Sequence, residues 1–171
     1  GAPSVMVDQL GIVDLAGSIF CGQVRWATFG AVDDTNSQPH LMQCKTLFYG
    51  AHNGNVTNCD DLKAWLISEG HDVLSDNDGE MVVHTVEHYF AKEMAKVGGK
   101  EEPQDPETRR ECMRAALLDA GRKLEGSYAA VVVDPVSRTQ WAIKQGSSLY
   151  FGIGQSDQSG RFGIASSDLS S

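Results

Sequence analysis

The sequence predicts an α+β fold in which helices pack on stacked antiparallel sheets. Apolar residues recur at spacings of three and four in three central segments, and short strand signals lie before and after them. A block of helices between two sets of strands is typical of an α+β layer design rather than of alternating βαβ units. The 171 residues, 41% of them hydrophobic and 22% charged, suit one domain with a substantial core.

The first third of the chain predicts two strands and a loop. Residues Ser18–Ala27 form an expected buried strand, with Cys21 and Trp26 among its apolar positions. Residues Thr28–Pro39 are polar and punctuated by Gly, Asn and Pro, which predicts a loop. A second strand is expected over Lys45–Ala51 and should end at Asn53-Gly54.

The middle of the chain predicts three helices. The first is capped by Thr57 or Asn58 and is stopped by Gly70. The second should run from about Gly79 to Lys96, and the third from Pro106 or Glu107 to about Lys123. The residues expected to face the core are Leu62, Trp65, Leu66 and Ile67 in the first helix, Val82, Val83, Val86, Phe90 and Met94 in the second, and Cys112, Met113, Ala116, Leu117 and Ala120 in the third.

The last third of the chain predicts four short strands separated by turns. Their expected ranges are Tyr128–Asp134, Gln140–Lys144, Ser148–Ile153 and Arg161–Ser166.

Charge and composition exclude several classes of function. A net charge of −9 and a sequence pI of about 4.9 argue against phosphate-neutralising binding of nucleic acid. The apolar runs are too short to span a membrane, and no signal peptide is visible. The four cysteines have neither a CxxC pair nor a metal-type spacing, which favours a reduced cytoplasmic protein without a metal.

Arg25 and Asn53-Gly54 are the first candidates for a binding site. An arginine at the end of a strand can hold a carboxylate through two parallel hydrogen bonds, although a surface salt bridge is the simpler interpretation. Asn-Gly after a strand is a common hairpin turn. Because a helix cap follows it here, we weigh a second interpretation, in which the Asn amide and the Gly N–H bind an oxyanion.

The segment Ser75–Glu80 holds three acids in five residues before a helix. Helix capping explains one of them, and another could hold an ammonium group. Further along, His84, Glu87 and His88 spell the H-x-x-E-H pattern of inverted zinc peptidases. No third ligand is marked downstream, so the peptidase stays a minor alternative. His84 is then expected to line the inner face of the helix, and His88 to be solvated or capping.

These pieces, in this order, resemble the class II glutamine amidotransferases, over about residues 18–171. Within that family the chain resembles most the glutaminase domains of the branch that aminates fructose 6-phosphate, and the amidophosphoribosyltransferase branch is the alternative. The motifs that carry the resemblance are Arg25–Gly30, Asn36–His40, His52-Asn53-Gly54, Ser75–Glu80, Leu124–Ala129, Lys144–Leu149 and Ile164–Asp168.

The resemblance implies a four-layer αββα sandwich of the N-terminal-nucleophile hydrolase type, without a cofactor. It implies hydrolysis of L-glutamine to glutamate and ammonia, which a sugar-phosphate acceptor domain in the parent protein would use, and it leaves a homodimer open. Arg25 would bind the glutamine α-carboxylate, and Asp78 would bind its α-ammonium group. Trp26 and Thr28 would shape the pocket, and Asn53 and Gly54 would form the oxyanion hole.

Three departures from the family pattern stand out. The N-terminal cysteine nucleophile has no counterpart, since Cys21 lies inside the strand that leads to Arg25. Phe29 and Gln38 each stand where the family has histidine. The chain is therefore expected to be one partial glutaminase domain, without its acceptor domain and inactive alone. A degenerate module that binds an amino acid without catalysis is the alternative.

Overall fold

The computed structural model describes residues 3–24, 34–157 and 160–169. The chain order of its regular elements, with a 3₁₀ turn at Ile12–Asp14, is α1 (Pro3–Gln9), β1 (His40–Met42), β2 (Phe48–Val56), α2 (Cys59–Ser68), α3 (Asp78–Gly98), α4 (Pro106–Lys123), β3 (Gly126–Asp134), β4 (Thr139–Gln145), β5 (Tyr150–Ser156) and β6 (Gly160–Ser166).

The strands form two antiparallel sheets. The larger sheet has the order β1-β2-β3-β4, and β5 and β6 form a separate two-stranded ribbon. Ala51 of β2 pairs with Val131 of β3, which in turn pairs with Ala142 of β4. Because β2 and β3 are the inner strands, their backbone groups are paired on both sides.

Helix α3 is the central element of the helical layer. It packs on β1 and β2, and α2 and α4 pack against it. A Cβ added to Gly50 would lie 3.2 Å from the Val83 side chain, so helix and strand approach closely there. The core between these elements contains Phe48, Val83, Val86, Phe90, Met94, Met113, Ala116 and Val132.

The three predicted helices and the last four predicted strands are confirmed, with no end differing by more than three residues. Among the residues expected to face inward, Trp65 is half-buried and the rest are buried, except Ile67, which is 54% exposed and corrects that expectation. The expectation of an α+β fold with antiparallel sheets is confirmed as well. None of the helices in the described ranges combines the length and the apolar character needed to cross a membrane.

The predicted strand over Ser18–Ala27 is wrong for the part that the structure describes. Residues 18–24 carry no strand, and Phe20 and Val24 are each 56% exposed. Residues 25–27 lie outside the described ranges. Alternating apolar residues favour a strand only where a neighbouring strand accepts their backbone hydrogen bonds, and the described strands do not pair with this segment.

The predicted end of the second strand is also wrong. β2 begins at Phe48 and continues through Asn53 and Gly54 to Val56. The partner strand β3 explains the extension, because Asn53 pairs with Ala129 and Gly54 with Tyr128. The Asn-Gly pair is therefore not a hairpin turn.

Candidate active site

Gly54 lies where two backbones meet. Its φ angle is +127°, a conformation that L side chains rarely adopt. A Cβ at this position would lie 2.2 Å from the Ser127 carbonyl oxygen. The strand pairing therefore requires glycine at this position. The side chain of the neighbouring Asn53 is exposed.

Motif segments that are distant in sequence converge on this end of β2. The Asn53 amide donates from Nδ2 to Ser167 Oγ at 2.9 Å. Next to it, the hydroxyl oxygens of Ser127 and Ser147 lie 3.0 Å apart. Asn53 has a second amide hydrogen, so one donor remains for a ligand while the first is held by Ser167.

Asp78 places a carboxylate on the same stretch of strand. It occupies the first turn of α3, and its Oδ2 accepts a hydrogen bond from the Val56 N–H at 3.0 Å. Its Oδ1 lies 3.7 Å from Nδ1 of His52. The contacts of Asp78 therefore fall on both sides of Asn53-Gly54 along β2.

The charge of Asp78 is not neutralised by His52. Burial lowers the pKa of His52, and the nearby Asp78 carboxylate opposes that shift only in part. The imidazole is therefore neutral at pH 7. Within the described part of the chain no lysine or arginine pairs with Asp78, so its carboxylate can accept a cationic ligand group.

The other two acids of the segment have structural partners. Asp76 is exposed and pairs with Lys63 at 3.0 Å. Glu80 is buried and accepts hydrogen bonds from the N–H groups of Leu74 and Ser75 and from the Ser75 hydroxyl. Burial would raise the pKa of Glu80, but these bonds and His84 outweigh it and lower the pKa to about 2.

The cap of α3 is an amide and not an acid. Asn77 accepts a hydrogen bond from the Gly79 N–H at 2.8 Å, which corrects the expectation that one of the acids caps the helix. Asp78 therefore does not cap the helix, and its carboxylate is the one in this segment that is available to bind a ligand.

Gln38 is a positioning residue whose role the sequence did not reveal. The Gln38-Pro39 peptide bond is cis, and Gln38 Oε1 accepts a hydrogen bond from the His52 N–H at 2.6 Å. Gln38 Nε2 lies 3.4 Å from Asn77 Oδ1. Gln38, which stands where the family has histidine, therefore links β2 to the start of α3.

Several predicted site residues lie outside the described ranges, namely Arg25, Trp26, Thr28 and Phe29. The cysteine thiols are within them, and none is activated. Burial raises the pKa of Cys21 to about 11, and burial together with nearby acids raises that of Cys59 to about 11 as well. A thiol in this state is a poor nucleophile at neutral pH.

The H-x-x-E-H pattern does not form the two-histidine face of a peptidase. His84 and Glu87 are buried and touch each other at 2.9 Å. His88 is half-buried and contacts Nε2 of His71 instead, at 3.3 Å. The expectation that His84 lines the inner face is confirmed, and the expectation that His88 is solvated or capping is wrong.

The chain is similar to known amidotransferases. Residues 25–168 match the glutamine amidotransferase domain family. The chain is 35% identical over 154 residues to glutamine–fructose-6-phosphate aminotransferase of Pyrococcus horikoshii, covering 89% of this chain and 23% of that protein. It is 30% identical over 151 residues to the Clostridium tetani enzyme of the same name, covering 88% and 22%. The chain thus spans less than a quarter of the length of these relatives.

A solved structure has the same fold. Glutamine phosphoribosylpyrophosphate amidotransferase from B. subtilis superposes with a TM-score of 0.52 at 22% identity, covering 84% of this chain and 26% of that chain. This likeness confirms the expected fold of the N-terminal-nucleophile hydrolase type. Since the family match extends over most of the sequence, the chain belongs to the glutamine amidotransferase domain family.

Proposed function

We propose that this domain hydrolyses the side-chain amide of L-glutamine, and that the protein carrying it transfers the ammonia to a sugar phosphate, fructose 6-phosphate. The proposal rests on one observation. The Asp78 carboxylate and the Asn53-Gly54 pair, each in its family motif, meet on the same stretch of β2. The names of the aminotransferase relatives support the choice of acceptor.

The proposed roles follow from charge and hydrogen-bonding capacity. Asp78 binds the α-ammonium group of glutamine, and Arg25 binds the α-carboxylate through its guanidinium fork. Trp26 and Thr28 shape the pocket. The Asn53 amide and the Gly54 N–H donate to the oxyanion that forms when the amide carbon becomes tetrahedral, a stabilisation of about 3 kcal/mol for such a donor.

The nucleophile in this proposal is an N-terminal cysteine of the parent protein, as the family resemblance implies. Its own α-amine has an ordinary pKa of about 8 and can accept the thiol proton. The thiolate attacks the amide carbon, and the protonated α-amine returns its proton to the amide nitrogen, which leaves as ammonia. Water then hydrolyses the resulting thioester to glutamate and the free thiol. The raised pKa of Cys21 supports this assignment, since a thiol that stays protonated at neutral pH is a poor nucleophile.

Ammonia release by the parent protein tests the proposal. Asn53→Ala should lower kcat by about 10²–10³ with a smaller effect on KM, because the oxyanion exists only along the reaction path. Asp78→Asn should weaken glutamine binding to the 171-residue chain more than about tenfold, measured by calorimetry, because it removes the charge that faces the ammonium group.

Two controls match these variants. Asp76→Asn removes an exposed acid two residues away and should leave glutamine binding unchanged. Cys21→Ala should leave ammonia release unchanged. Full activity in Asn53→Ala, or loss of turnover in Cys21→Ala alone, would contradict the proposed roles.

Two alternatives predict other outcomes. An amidophosphoribosyltransferase-type domain would also release ammonia from glutamine, but the acceptor of that ammonia would be phosphoribosylpyrophosphate. The segment Gln38-Pro39 and the residues around Asn53 favour this alternative. A non-catalytic module would bind glutamine and glutamate without turnover, as the Phe29 and Gln38 replacements suggest. Assays of the parent protein with each acceptor separate all three.

A cytoplasmic location and a homodimer remain part of the proposal. The four free thiols agree with a cytoplasmic location.

A further inference from the structure

A cluster of metal-binding side chains lies outside the proposed glutamine site. One atom each from Cys44, His71, His84 and Glu87 lies within 4.8 Å of the other three. The two histidines and the glutamate are buried, and Cys44 is half-buried. The residues come from the loop between β1 and β2, the loop after α2, and helix α3.

Three of these atoms already form one face of a tetrahedron. His84 Nδ1 and His71 Nδ1 lie 2.9 Å and 3.1 Å from Glu87 Oε2, and 3.3 Å from each other. Zinc bound to nitrogen at about 2.0–2.1 Å in a tetrahedral site separates its nitrogen ligands by about 3.3 Å. The three edges are therefore within about 0.4 Å of the spacing around a single zinc ion.

The fourth position is open to a sulfur ligand. Cys44 Sγ accepts a hydrogen bond from the Asp72 N–H at 3.3 Å, next to the ligand candidate His71. Its ligand atom lies within 4.8 Å of those of the other three residues, and a zinc–sulfur bond of about 2.3 Å would draw it closer to them. Cys44 is the most exposed of the four residues, so it gives the ion access from solvent.

The surrounding groups orient the ligands as metal sites require. His71 Nε2 lies 3.3 Å from His88 Nδ1, within hydrogen-bond distance. His84 Nε2 lies 3.5 Å from Glu80 Oε1, an ion-pair contact that is not a formed hydrogen bond, and Glu80 is the nearby acceptor for that nitrogen. An imidazole that donates from its outer nitrogen presents the inner nitrogen, unprotonated, to a metal. Glu87 Oε1 accepts the N–H groups of Lys45 and Thr46 at 2.7 and 3.2 Å, which leaves Oε2 for the ion.

Charge balance also favours a divalent cation. One thiolate, one carboxylate and two neutral imidazoles carry two negative charges, which Zn²⁺ neutralises in this buried position. Binding releases the Cys44 proton and any proton held by His84, since metal ligands must be deprotonated. Mixed sulfur and nitrogen ligands in a tetrahedral arrangement select zinc over calcium or magnesium.

We propose that Cys44, His71, His84 and Glu87 form a structural zinc site that ties the β1–β2 loop and the α2–α3 loop to helix α3. All four positions are protein ligands, as in structural rather than catalytic sites. The site differs from the peptidase pattern because Glu87 is a ligand and His88 is not.

Without a metal, the same groups would form an ion-pair network. Burial would lower the pKa of His84, but hydrogen bonds to Glu80 and Glu87 outweigh it and raise the pKa to about 9. A protonated His84 between two carboxylates is the competing account, and in that account Cys44 takes no part in the ion pairs. Variants of Cys44 therefore separate the two.

Metal analysis of the purified chain tests the site. The chain is stripped with a chelator, given one equivalent of Zn²⁺ and desalted. The wild type should retain one zinc per chain, whereas Cys44→Ser and His71→Ala should retain less than about a tenth as much under the same wash. Cys59→Ser is the matched control, because it removes a half-buried cysteine outside the cluster.

Two further measurements keep the outcome clear if His71→Ala fails to fold. Cobalt should give the wild type the intense visible bands of a tetrahedral ion and a thiolate-to-cobalt band that Cys44→Ser lacks. Saturating zinc should raise the wild-type Tm by about 5–10 °C, and that of Cys44→Ser by much less. A folded wild type without bound zinc, or equal binding by wild type and Cys44→Ser, would overturn the proposal in favour of the ion-pair network.

Discussion

At the scale of single residues, neighbouring carboxylates have different roles because they have different hydrogen-bond and ion-pair partners. Asp76, Asp78 and Glu80 are three acids in one short segment. Asp76 pairs with a surface lysine, and Asp78 accepts a strand N–H near Asn53-Gly54. Glu80 is buried among hydrogen-bond donors. The sequence marks the segment, but the hydrogen-bond partners determine which acid is available to a ligand.

Gly54→Ala should destabilise the protein by more than about 2 kcal/mol, because an alanine would have to adopt a φ of +127° and its Cβ would collide with the Ser127 carbonyl oxygen. Urea unfolding measures the change. Gly152→Ala is the matched control in another strand, where an added Cβ meets nothing within 4 Å. A Gly54→Ala protein as stable as the control would show that β2 and β3 can separate locally.

At the scale of elements, a buried ion pair fastens helix α4 to the end of β3. Arg109 donates from Nε and Nη2 to the two carboxylate oxygens of Asp134, each at 2.8 Å. Both side chains are buried, and the Arg109 guanidinium also lies 5.1 Å from the centre of the Phe90 ring. Two parallel hydrogen bonds fix the angle at which the helix meets the sheet.

This ion pair predicts a pH dependence. Burial would raise the pKa of Asp134, but the hydrogen bonds and charge of Arg109 outweigh it and lower the pKa below its ordinary value. The pair therefore stabilises the fold fully above about pH 4, the unfolded pKa, and this stabilisation is lost as the pH falls through the folded value. Asp134→Asn should cost about 3 kcal/mol at pH 7 and should reduce the loss of stability on acidification.

Urea unfolding at pH 7 and pH 3 measures both effects. Asp119→Asn is the control, because Asp119 pairs with the largely exposed Arg122 and should change stability by less than about 0.5 kcal/mol. If Asp134→Asn has the same acid sensitivity as the wild type, other carboxylates account for acid unfolding.

At the scale of the whole molecule, Phe90 joins the sheet to two helices. It is fully buried in α3, meets the Phe48 ring of β2 edge-to-face at 6.5 Å, and packs beneath Arg109 of α4. Phe90→Ala should destabilise the fold by about 3–5 kcal/mol, because the cavity would lie between all three elements. Thermal or urea unfolding measures it. Phe151→Ala, at a position that is 72% exposed, should cost less than about 0.5 kcal/mol, and similar values for the two would place the main core elsewhere.

Sequence reasoning located the elements whose signal is local. Helices α2, α3 and α4 are predicted by the spacing of their apolar residues and by start and stop residues such as Pro106 and Gly70. The strand predicted at Ser18 failed, and β2 proved longer than expected, since pairing with a distant strand decides where a strand exists and ends. For the candidate site, the motifs predicted Asn53, Gly54 and Asp78, but they gave no sign that the Asn53 amide donates to Ser167 or that the His52 N–H donates to Gln38.

The sequence by itself determined the helical core, the acidic surface and the membership of a glutamine amidotransferase family, because spacing, charge and motif order are written along the chain. Only the tertiary structure decided that Asp78 contacts the strand that carries Asn53, and that Cys44 and His71 meet His84 and Glu87. The physical reason is the same in both cases. These side chains approach one another only when α3 packs against the sheet and the α2–α3 loop lies beside α3, and no local pattern encodes that approach.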